Sequence, residues 1–328
     1  MTPLLSVRNL RKSFKVSSGR PGAAKAALRA VDGVSFDLFP GETLGLVGES
    51  GCGKSTTGKL IMRLLEPDTG SIDFLGQPLL ELSRSGLIGA RRDLQMIFQD
   101  PFSSLNPRMK IGEIVGEPLK IHRLGAPGKL RGQVSELLQT VGLSADHADR
   151  CPHEFSGGQR QRVGIARALA VRPKLIVADE PVSALDLSIQ AQIVNLLQDL
   201  QDQFNLTYLL IAHDLGVIAH LCNRVAVMYL GRIVELGPAD RICTNPAHPY
   251  TEALLNAVPV PDPARRRQRL ILSGEIPSPI NPPSGCHFHP RCPYAKEVCQ
   301  NQAPELVVGN SGHQVACHFS DEVGKFRL

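Results

Sequence analysis

The stretch that decides the fold reads Gly48-Glu49-Ser50-Gly51-Cys52-Gly53-Lys54-Ser55, with Thr56 directly after it. The apolar run at 43–47 predicts a buried strand before it, and a helix is expected from about 54 to 65. A glycine-rich loop in that setting surrounds phosphate groups with backbone N–H groups and the positive end of a helix. Lys54 is then expected to reach the phosphates and Ser55 to bind Mg²⁺. A chance glycine-rich turn is less favoured, because the motif follows a strand and opens a helix.

A second apolar run, Leu175-Ile-Val-Ala-Asp179-Glu180, ends in two carboxylates. Asp179 is predicted to hold Mg²⁺, and Glu180 to act as the general base that polarises the attacking water. A buried strand with two solvated acids at its end would explain this segment equally well if it stood alone. The phosphate loop makes the catalytic interpretation the stronger one.

The segment Phe155-Ser156-Gly157-Gly158-Gln159 predicts a tight turn before a helix. One interpretation is a helix cap followed by a glycine turn. The other is a second set of backbone N–H groups at a helix N-terminus, able to hold a γ-phosphate. The residues by themselves do not decide between the two.

Composition limits the class of protein. The chain has 328 residues, 42% of them hydrophobic and 20% charged, which excludes a mainly disordered protein. No apolar run approaches the roughly 20 residues of a spanning helix, and the first residues do not form a signal peptide. A cytosolic location is therefore expected. The net charge of +5 gives no argument for nucleic-acid binding.

Strands predicted at 174–178, 207–212 and 224–229 alternate with an amphipathic helix at 187–203, which predicts an α/β fold with a largely parallel sheet. Residues 1–46 show apolar alternation and predict strands, which would form a β-subdomain, whereas residues 101–165 are more helical and predict a helical insertion. We therefore expect a core domain over 1–257, a proline-rich linker or arm over 258–284 and a cysteine-rich region over 285–328.

These motifs, in this order, resemble the ATP-binding subunit of an ATP-binding-cassette (ABC) transporter over residues 1–240. The resemblance identifies 155–159 as the signature motif, with Phe155 where the family usually has Leu. It makes Gln99 the glutamine that contacts Mg²⁺ and water, Asp186 part of the D-loop and His213 the switch histidine. Phe14 would stack on adenine, where the family more often has Tyr.

Each of the added residues also has an ordinary explanation. Gln99 fits a turn, Asp186 fits a helix N-cap and His213 fits the end of a strand. Their joint presence in the family's order favours the nucleotide site. In this family two nucleotide-binding domains enclose two ATP molecules, each between one subunit's phosphate loop and the other's signature motif. The resemblance thus implies an ATPase with every required residue present.

Three further segments, 100–107, 248–251 and 272–283, resemble the oligopeptide, dipeptide and nickel importer group. The last of them, 272–283, most closely resembles the dipeptide and oligopeptide "F"-type ATPase subunit of that group. This implies two transmembrane permease subunits, a second, non-identical ATPase, an extracytoplasmic substrate-binding protein and no nucleic acid. The chain would lie peripherally on the cytoplasmic face of the bacterial inner membrane. A nickel importer, or a soluble ABC ATPase acting on nucleic acid or ribosomes, is the alternative. The sequence does not name the cargo.

Four of the eight cysteines, Cys286, Cys292, Cys299 and Cys317, lie close together near the end of the chain. Four thiolates can bind a 4Fe-4S cluster or Zn²⁺, although none of these spacings is the C-x₂-C of common zinc sites. The importer group carries the same pattern, and the resemblance favours the 4Fe-4S cluster over Zn²⁺. Four reduced cysteines in a small packed region are the remaining alternative.

Overall fold

The computed structural model describes residues 2–16, 26–125, 128–213, 215–257, 272, 274–309 and 312–324. Most of the predicted arm at 258–284, including its basic run at 265–269, lies outside the described residues. No helix in the described ranges is both long enough and apolar enough to span a membrane.

The strands, in chain order, are β1 (Leu5–Val16), β2 (Ala26–Leu38), β3 (Thr43–Val47), β4 (Thr69–Phe74), β5 (Gln77–Pro78), β6 (Leu94–Ile97), β7 (Leu175–Asp179), β8 (Thr207–Ala212), β9 (Arg224–Tyr229), β10 (Arg232–Pro238), β11 (Val307–Val308) and β12 (Gln314–Val315). The α-helices are α1 (Lys54–Ile61), α2 (Arg84–Asp93), α3 (Ile111–Ile121), α4 (Leu130–Thr140), α5 (Gly157–Leu169), α6 (Leu187–Phe204), α7 (Leu215–Leu221), α8 (Ala239–Thr244), α9 (Pro249–Ala257) and α10 (Glu297–Asn301). Short 3₁₀ turns lie between them, one of them at His289–Arg291.

The chain divides into two compact units. Unit 1 contains the described residues of 1–2, 39–42 and 78–211, and unit 2 contains those of 3–38, 43–77 and 212–328. Both units combine strands with helices, so the predicted α/β class is confirmed.

Unit 1 is built on three neighbouring parallel strands, in the order β6, β7, β8. Strand β7 is buried along its whole length, as expected for the central strand of a parallel sheet covered by helices. Between β6 and β7 the described residues form α3, α4 and α5 and no strand. This is the segment in which the sequence predicts a helical insertion.

Unit 2 is largely antiparallel, in contrast to the predicted parallel sheet. Strand β1 pairs antiparallel with both β2 and β4. Strand β3 runs parallel to β9, but β10, β12 and β11 then follow in antiparallel order. The two-residue turn Leu230-Gly231 explains part of the difference, because both residues have positive φ, of 42° and 81°. Such turns join antiparallel strands.

Candidate functional site

The phosphate loop at 48–55 is shaped by main-chain geometry. Gly48 has φ 151° and Gly53 has φ 107°, in the region that favours glycine. A Cβ atom on Gly48 would lie 2.1 Å from the Met228 carbonyl oxygen, and one on Gly53 would lie 2.1 Å from that of Ala30. Neighbouring backbone therefore leaves no room for a side chain at either position.

The charged group of the loop points inward. Lys54, the first residue of α1, is buried, and its Nζ donates to the carbonyl oxygens of Gly48 at 2.8 Å and Glu49 at 3.0 Å. Ser55 and Thr56 follow in the first turn of α1. Cys52 is buried, and this burial raises the pKa of its thiol. The helix N-terminus thus does not make Cys52 a reactive thiolate, and a small packing residue is the better description.

Two more predicted nucleotide contacts belong to unit 2. Phe14 lies on β1, is 36% exposed and has the Lys12 Nζ 5.8 Å from its ring centroid. His213 directly follows β8 and is exposed. Both side chains are accessible to solvent, and their roles in binding adenine and the γ-phosphate remain predictions.

In unit 1 the ends of two neighbouring strands bring predicted catalytic residues together. Asp179 is the buried last residue of β7, and Glu180 follows it with φ 45°. The Glu180 N–H donates to the Ile211 carbonyl oxygen at 2.9 Å, which fixes its backbone. Gln99, just beyond β6, donates from Nε2 to Glu180 Oε2 at 2.8 Å. The sequence predicts both residues, and the structure shows that they touch.

The predicted signature segment forms a capped helix start. Ser156 Oγ accepts from the Gln159 N–H at 3.4 Å, and the Ser156 N–H donates to Gln159 Oε1 at 3.0 Å. Phe155 is buried and packs edge-on against His147, with 5.2 Å between ring centroids. The capping interpretation of this segment is therefore correct. A capped N-terminus still presents N–H groups of its first turn, so phosphate binding stays a prediction.

Glycine at this helix start also allows close packing. A Cβ atom on Gly158 would lie 2.6 Å from Ile189 Cγ2 of α6. Asp186 occupies the N-cap position of α6, but its side chain makes no capping hydrogen bond. The ordinary explanation of Asp186 as a side-chain cap is therefore not supported by the contacts.

The structure adds residues that sequence reasoning missed. Tyr250 Oη accepts from the Glu49 N–H at 2.7 Å, and Arg291 forms a two-point ion pair with the Glu49 carboxylate. In unit 1 the Arg160 guanidinium lies 4.1 Å from the centroid of the Phe102 ring, joining α5 to the segment after Gln99. No local spacing marks these residues, because each partner is far away in the chain.

The predicted metal site at the four C-terminal cysteines is wrong. All four are described, yet no group of three or more His, Cys, Asp or Glu side chains in the described ranges is placed to hold a metal ion. The cysteines line a small cavity together with Phe288, Tyr294 and Phe319. Burial raises the pKa of Cys292 to about 12 and of Cys317 to about 11, so without a metal ion both are neutral thiols at pH 7.

Comparison with known protein families agrees with the nucleotide motifs. Residues 31–183 match the ABC transporter family, and residues 234–299 match the family described as the oligopeptide/dipeptide transporter C-terminal region. The chain belongs to the ATP-binding proteins of the ABC transporter family, and its fold is that of the ABC ATPases.

Individual relatives extend the match to almost the whole chain. The oligopeptide transport ATP-binding protein AppF of Bacillus subtilis is 52% identical over 319 residues, covering 96% of this chain and 97% of AppF. Among solved structures, the ATP-binding cassette MJ0796 bound to ADP and Pi has a TM-score of 0.64 at 29% identity, covering 72% of this chain and 98% of its own. CbiO1 of Clostridium perfringens, part of the ABC transporter complex cbiONQ, has a TM-score of 0.64 at 26% identity, covering 75% and 92%.

Proposed function

We propose that this chain is the ATP-hydrolysing subunit of a bacterial ABC importer for peptides. The observation that carries the proposal is the 52% identity to an oligopeptide transport protein over 96% of this chain. The match of residues 234–299 to the oligopeptide/dipeptide transporter C-terminal region supports the same cargo class. An ATPase acting on nucleic acid or ribosomes has no comparable support.

Unit 2 supplies the groups that bind the phosphates. The loop at 48–55 presents backbone N–H groups, and Lys54 neutralises phosphate charge. The Lys54 ammonium already lies within the loop, held by two carbonyl oxygens. We propose that phosphate oxygens replace these carbonyl partners when ATP binds, so that little reorganisation of the side chain is needed.

Unit 1 supplies the base. Glu180 is anchored through its backbone, and Gln99 orients its carboxylate through one oxygen. A carboxylate held in this way can accept a proton from water while the water attacks the γ-phosphorus. We propose that Gln99 keeps Glu180 in the productive orientation and links it to the segment that follows β6.

We propose the Mg²⁺ ligands that the family resemblance implies. Ser55, Asp179 and Gln99 offer hydroxyl, carboxylate and amide oxygens, the ligand types that this cation prefers. Because the Gln99 nitrogen donates to Glu180, its oxygen is the atom that remains for the cation. When bound, Mg²⁺ would neutralise charge on the phosphate oxygens.

The remaining predicted contacts complete the nucleotide site in the manner of the family. Phe14 would stack on adenine, and His213 would contact the γ-phosphate. Ser156, Gly157, Gly158, Gln159 and Asp186 would act on the ATP held by a partner ATPase. The exposure of Phe14, His213, Ser156 and Asp186 and the capped start of α5 support these roles.

The proposed assembly has two permease subunits, a second, non-identical ATPase subunit and an extracytoplasmic substrate-binding protein. The chain would lie on the cytoplasmic face of the inner membrane. We propose the boundaries 1–257 for the ATP-binding domain, 258–284 for the arm and 285–328 for a small C-terminal extension. The cysteines of that extension would pack its interior as thiols.

The catalytic part of the proposal is tested with the E180Q variant in the assembled transporter. The substitution keeps the shape and the contact with Gln99 but removes the base. ATP binding should be retained, while kcat falls by about 10³-fold. An unchanged kcat in E180Q would show that another group is the base.

The cargo is tested in membranes that contain the complete transporter. ATP hydrolysis is measured with the binding protein in the presence of di- and oligopeptides, of Ni²⁺ and of RNA. Stimulation by peptides alone supports peptide import. Stimulation by Ni²⁺ would assign a nickel importer, and stimulation of the isolated chain by RNA would support the soluble alternative.

A further inference from the structure

Arg291, near the end of the chain, forms an ion pair with Glu49 of the phosphate loop. The 3₁₀ turn His289–Arg291 places Arg291 Nη1 2.8 Å from Glu49 Oε2 and Arg291 Nη2 3.0 Å from Glu49 Oε1. Only 7% of the Arg291 side chain and 25% of the Glu49 side chain are exposed. A two-point arginine–carboxylate contact of this kind is strong and directional, and burial protects it from screening by salt.

Glu49 is held at its main chain as well. Its N–H donates to Tyr250 Oη at 2.7 Å. Tyr250 is fully buried against Tyr229 and Phe288, with ring centroids 4.7 Å and 5.4 Å away. Phe288 belongs to the same C-terminal segment as Arg291, so both contacts on Glu49 depend on where that segment lies.

The C-terminal region, which we define as residues 285–324, is attached to the rest of unit 2 by other buried contacts. Tyr294 Oη donates to Glu252 Oε2 at 2.9 Å, and His313 Nε2 lies 2.7 Å from Glu235 Oε1. Glu235 is fully buried and Glu252 nearly so. These contacts set the position of the region without the help of Arg291, so the arginine reaches Glu49 from a fixed support.

Glu49 in turn sets the position of the phosphate-binding lysine. The Lys54 Nζ donates to the Glu49 carbonyl oxygen at 3.0 Å. A displacement of Glu49 therefore moves an acceptor of the ammonium group that binds phosphate, together with the loop N–H groups next to it. The contacts form a continuous line from Arg291 through Glu49 to Lys54.

We propose that Arg291 is a positioning residue for ATP binding, through which the C-terminal region holds the phosphate loop in its binding conformation. This inference rests on the proposed ATP-binding role of the loop. It gives the C-terminal region a function within the nucleotide site itself. A displacement of the region that breaks the contact between Arg291 and Glu49 then lowers the affinity for ATP.

The test compares three variants of the full chain, R291Q, R291K and E49Q, with the double variant R291Q/E49Q. Each is measured for the Kd of ATP and for its melting temperature, and, in the assembled transporter, for KM and kcat. R291Q should raise the Kd and KM for ATP about tenfold and leave kcat at saturating ATP nearly unchanged. R291K keeps the positive charge but loses the planar guanidinium that contacts both carboxylate oxygens. Its Kd and KM for ATP should therefore lie between those of wild type and R291Q. The double variant should be no worse than either single change, because the second change removes a partner already lost.

The matched control is R8Q, which breaks another two-point arginine–carboxylate pair of unit 2. Arg8 contacts both carboxylate oxygens of Asp37, at 2.7 Å and 2.8 Å, but on the surface. R8Q should leave the Kd for ATP unchanged. Equal Kd values for wild type, R291Q and R291K would overturn the inference, as would effects in the double variant that simply add. If R291Q does not fold, R291K decides in the same way. Wild-type protein that fails to bind ATP would instead overturn the proposed function.

Discussion

The phosphate loop and the C-terminal region lie in the same unit but are built in different ways. The loop gets its shape from main chain, since added Cβ atoms on Gly48 or Gly53 would lie 2.1 Å from backbone oxygens. The C-terminal region is held by buried side chains, through Tyr294 on Glu252 and His313 on Glu235. Substitutions in the loop are therefore expected to destabilise the protein through steric conflict. Substitutions in the C-terminal region are expected to destabilise it by leaving buried polar groups without partners.

The largest effect on stability is expected from G53A, which places a side chain where the main chain of the phosphate loop leaves no room. The new methyl group would meet the Ala30 carbonyl oxygen at 2.1 Å and would force a non-glycine residue to keep φ 107°. We expect a loss of about 4 kcal/mol in the free energy of unfolding, measured by urea denaturation, and loss of ATP binding.

The matched control for this prediction is G51A. Gly51 also has a positive φ, of 79°, but a Cβ atom there would meet nothing within 4 Å. G51A should therefore cost only the backbone term, about 1–2 kcal/mol. Equal losses in the two variants would show that the close approach to Ala30 is unimportant.

The next-largest effect on stability tests the buried side-chain contacts that hold the C-terminal region. Glu235 is fully buried and accepts from the backbone N–H groups of Ala247 at 2.7 Å and His248 at 3.1 Å, besides its contact with His313. In E235Q one acceptor oxygen becomes an NH₂ group facing a donor. The unfolding free energy should fall by about 3 kcal/mol. The exposed Glu297 on α10 gives the control, and E297Q should change it by less than about 0.5 kcal/mol. A loss no larger in E235Q than in E297Q would contradict the importance of the buried carboxylate.

The same contrast explains what the sequence could predict. The loop at 48–55 can be predicted from the sequence because its main-chain geometry demands glycine at fixed spacings. Asp179 and Glu180 can be predicted because they end a continuous buried strand. Arg291 and Tyr250 could not be predicted, because their contacts with Glu49 join residues 242 and 201 positions apart. The cysteine spacing misled because four cysteines around one small cavity need not form a group that can hold a metal ion, and among the described residues they do not.

Acid should weaken the buried side-chain contacts of unit 2 more than it weakens the phosphate loop. His248 is fully buried, its Nδ1 accepts from the Tyr250 N–H at 3.1 Å, and burial lowers its pKa to about 4. The unfolded chain, with a histidine pKa near 6.5, then binds more protons than the folded chain between these values. The histidine's contribution to stability is therefore complete above about pH 6.5 and is lost as the pH falls towards 4.

This linkage predicts that His248 accounts for a loss of about 2 kcal/mol of unfolding free energy between pH 7 and pH 5. Urea denaturation of wild type and of H248Q across this range isolates the effect, because other titrating groups are common to both. The wild-type curve should fall more steeply than that of H248Q. Parallel curves would show that His248 does not couple folding to pH.

The smallest effect is expected from the cysteines, and it tests whether they only pack. Cys292 and Cys317 line the same small cavity, where burial raises the pKa of both thiols. Replacing either by serine changes one atom of a neutral side chain, so the unfolding free energy should fall by about 1 kcal/mol. C151S, outside the C-terminal region, gives the control. The double change should cost more than either single change, although the shared cavity lets the two effects depart from strict additivity. The opposite outcome would be a loss of several kcal/mol of unfolding free energy from C292S alone, with no further loss on adding C317S. It would mean that the thiols act as one unit. The C-terminal region would then be held by more than the buried polar contacts on Glu235 and Glu252.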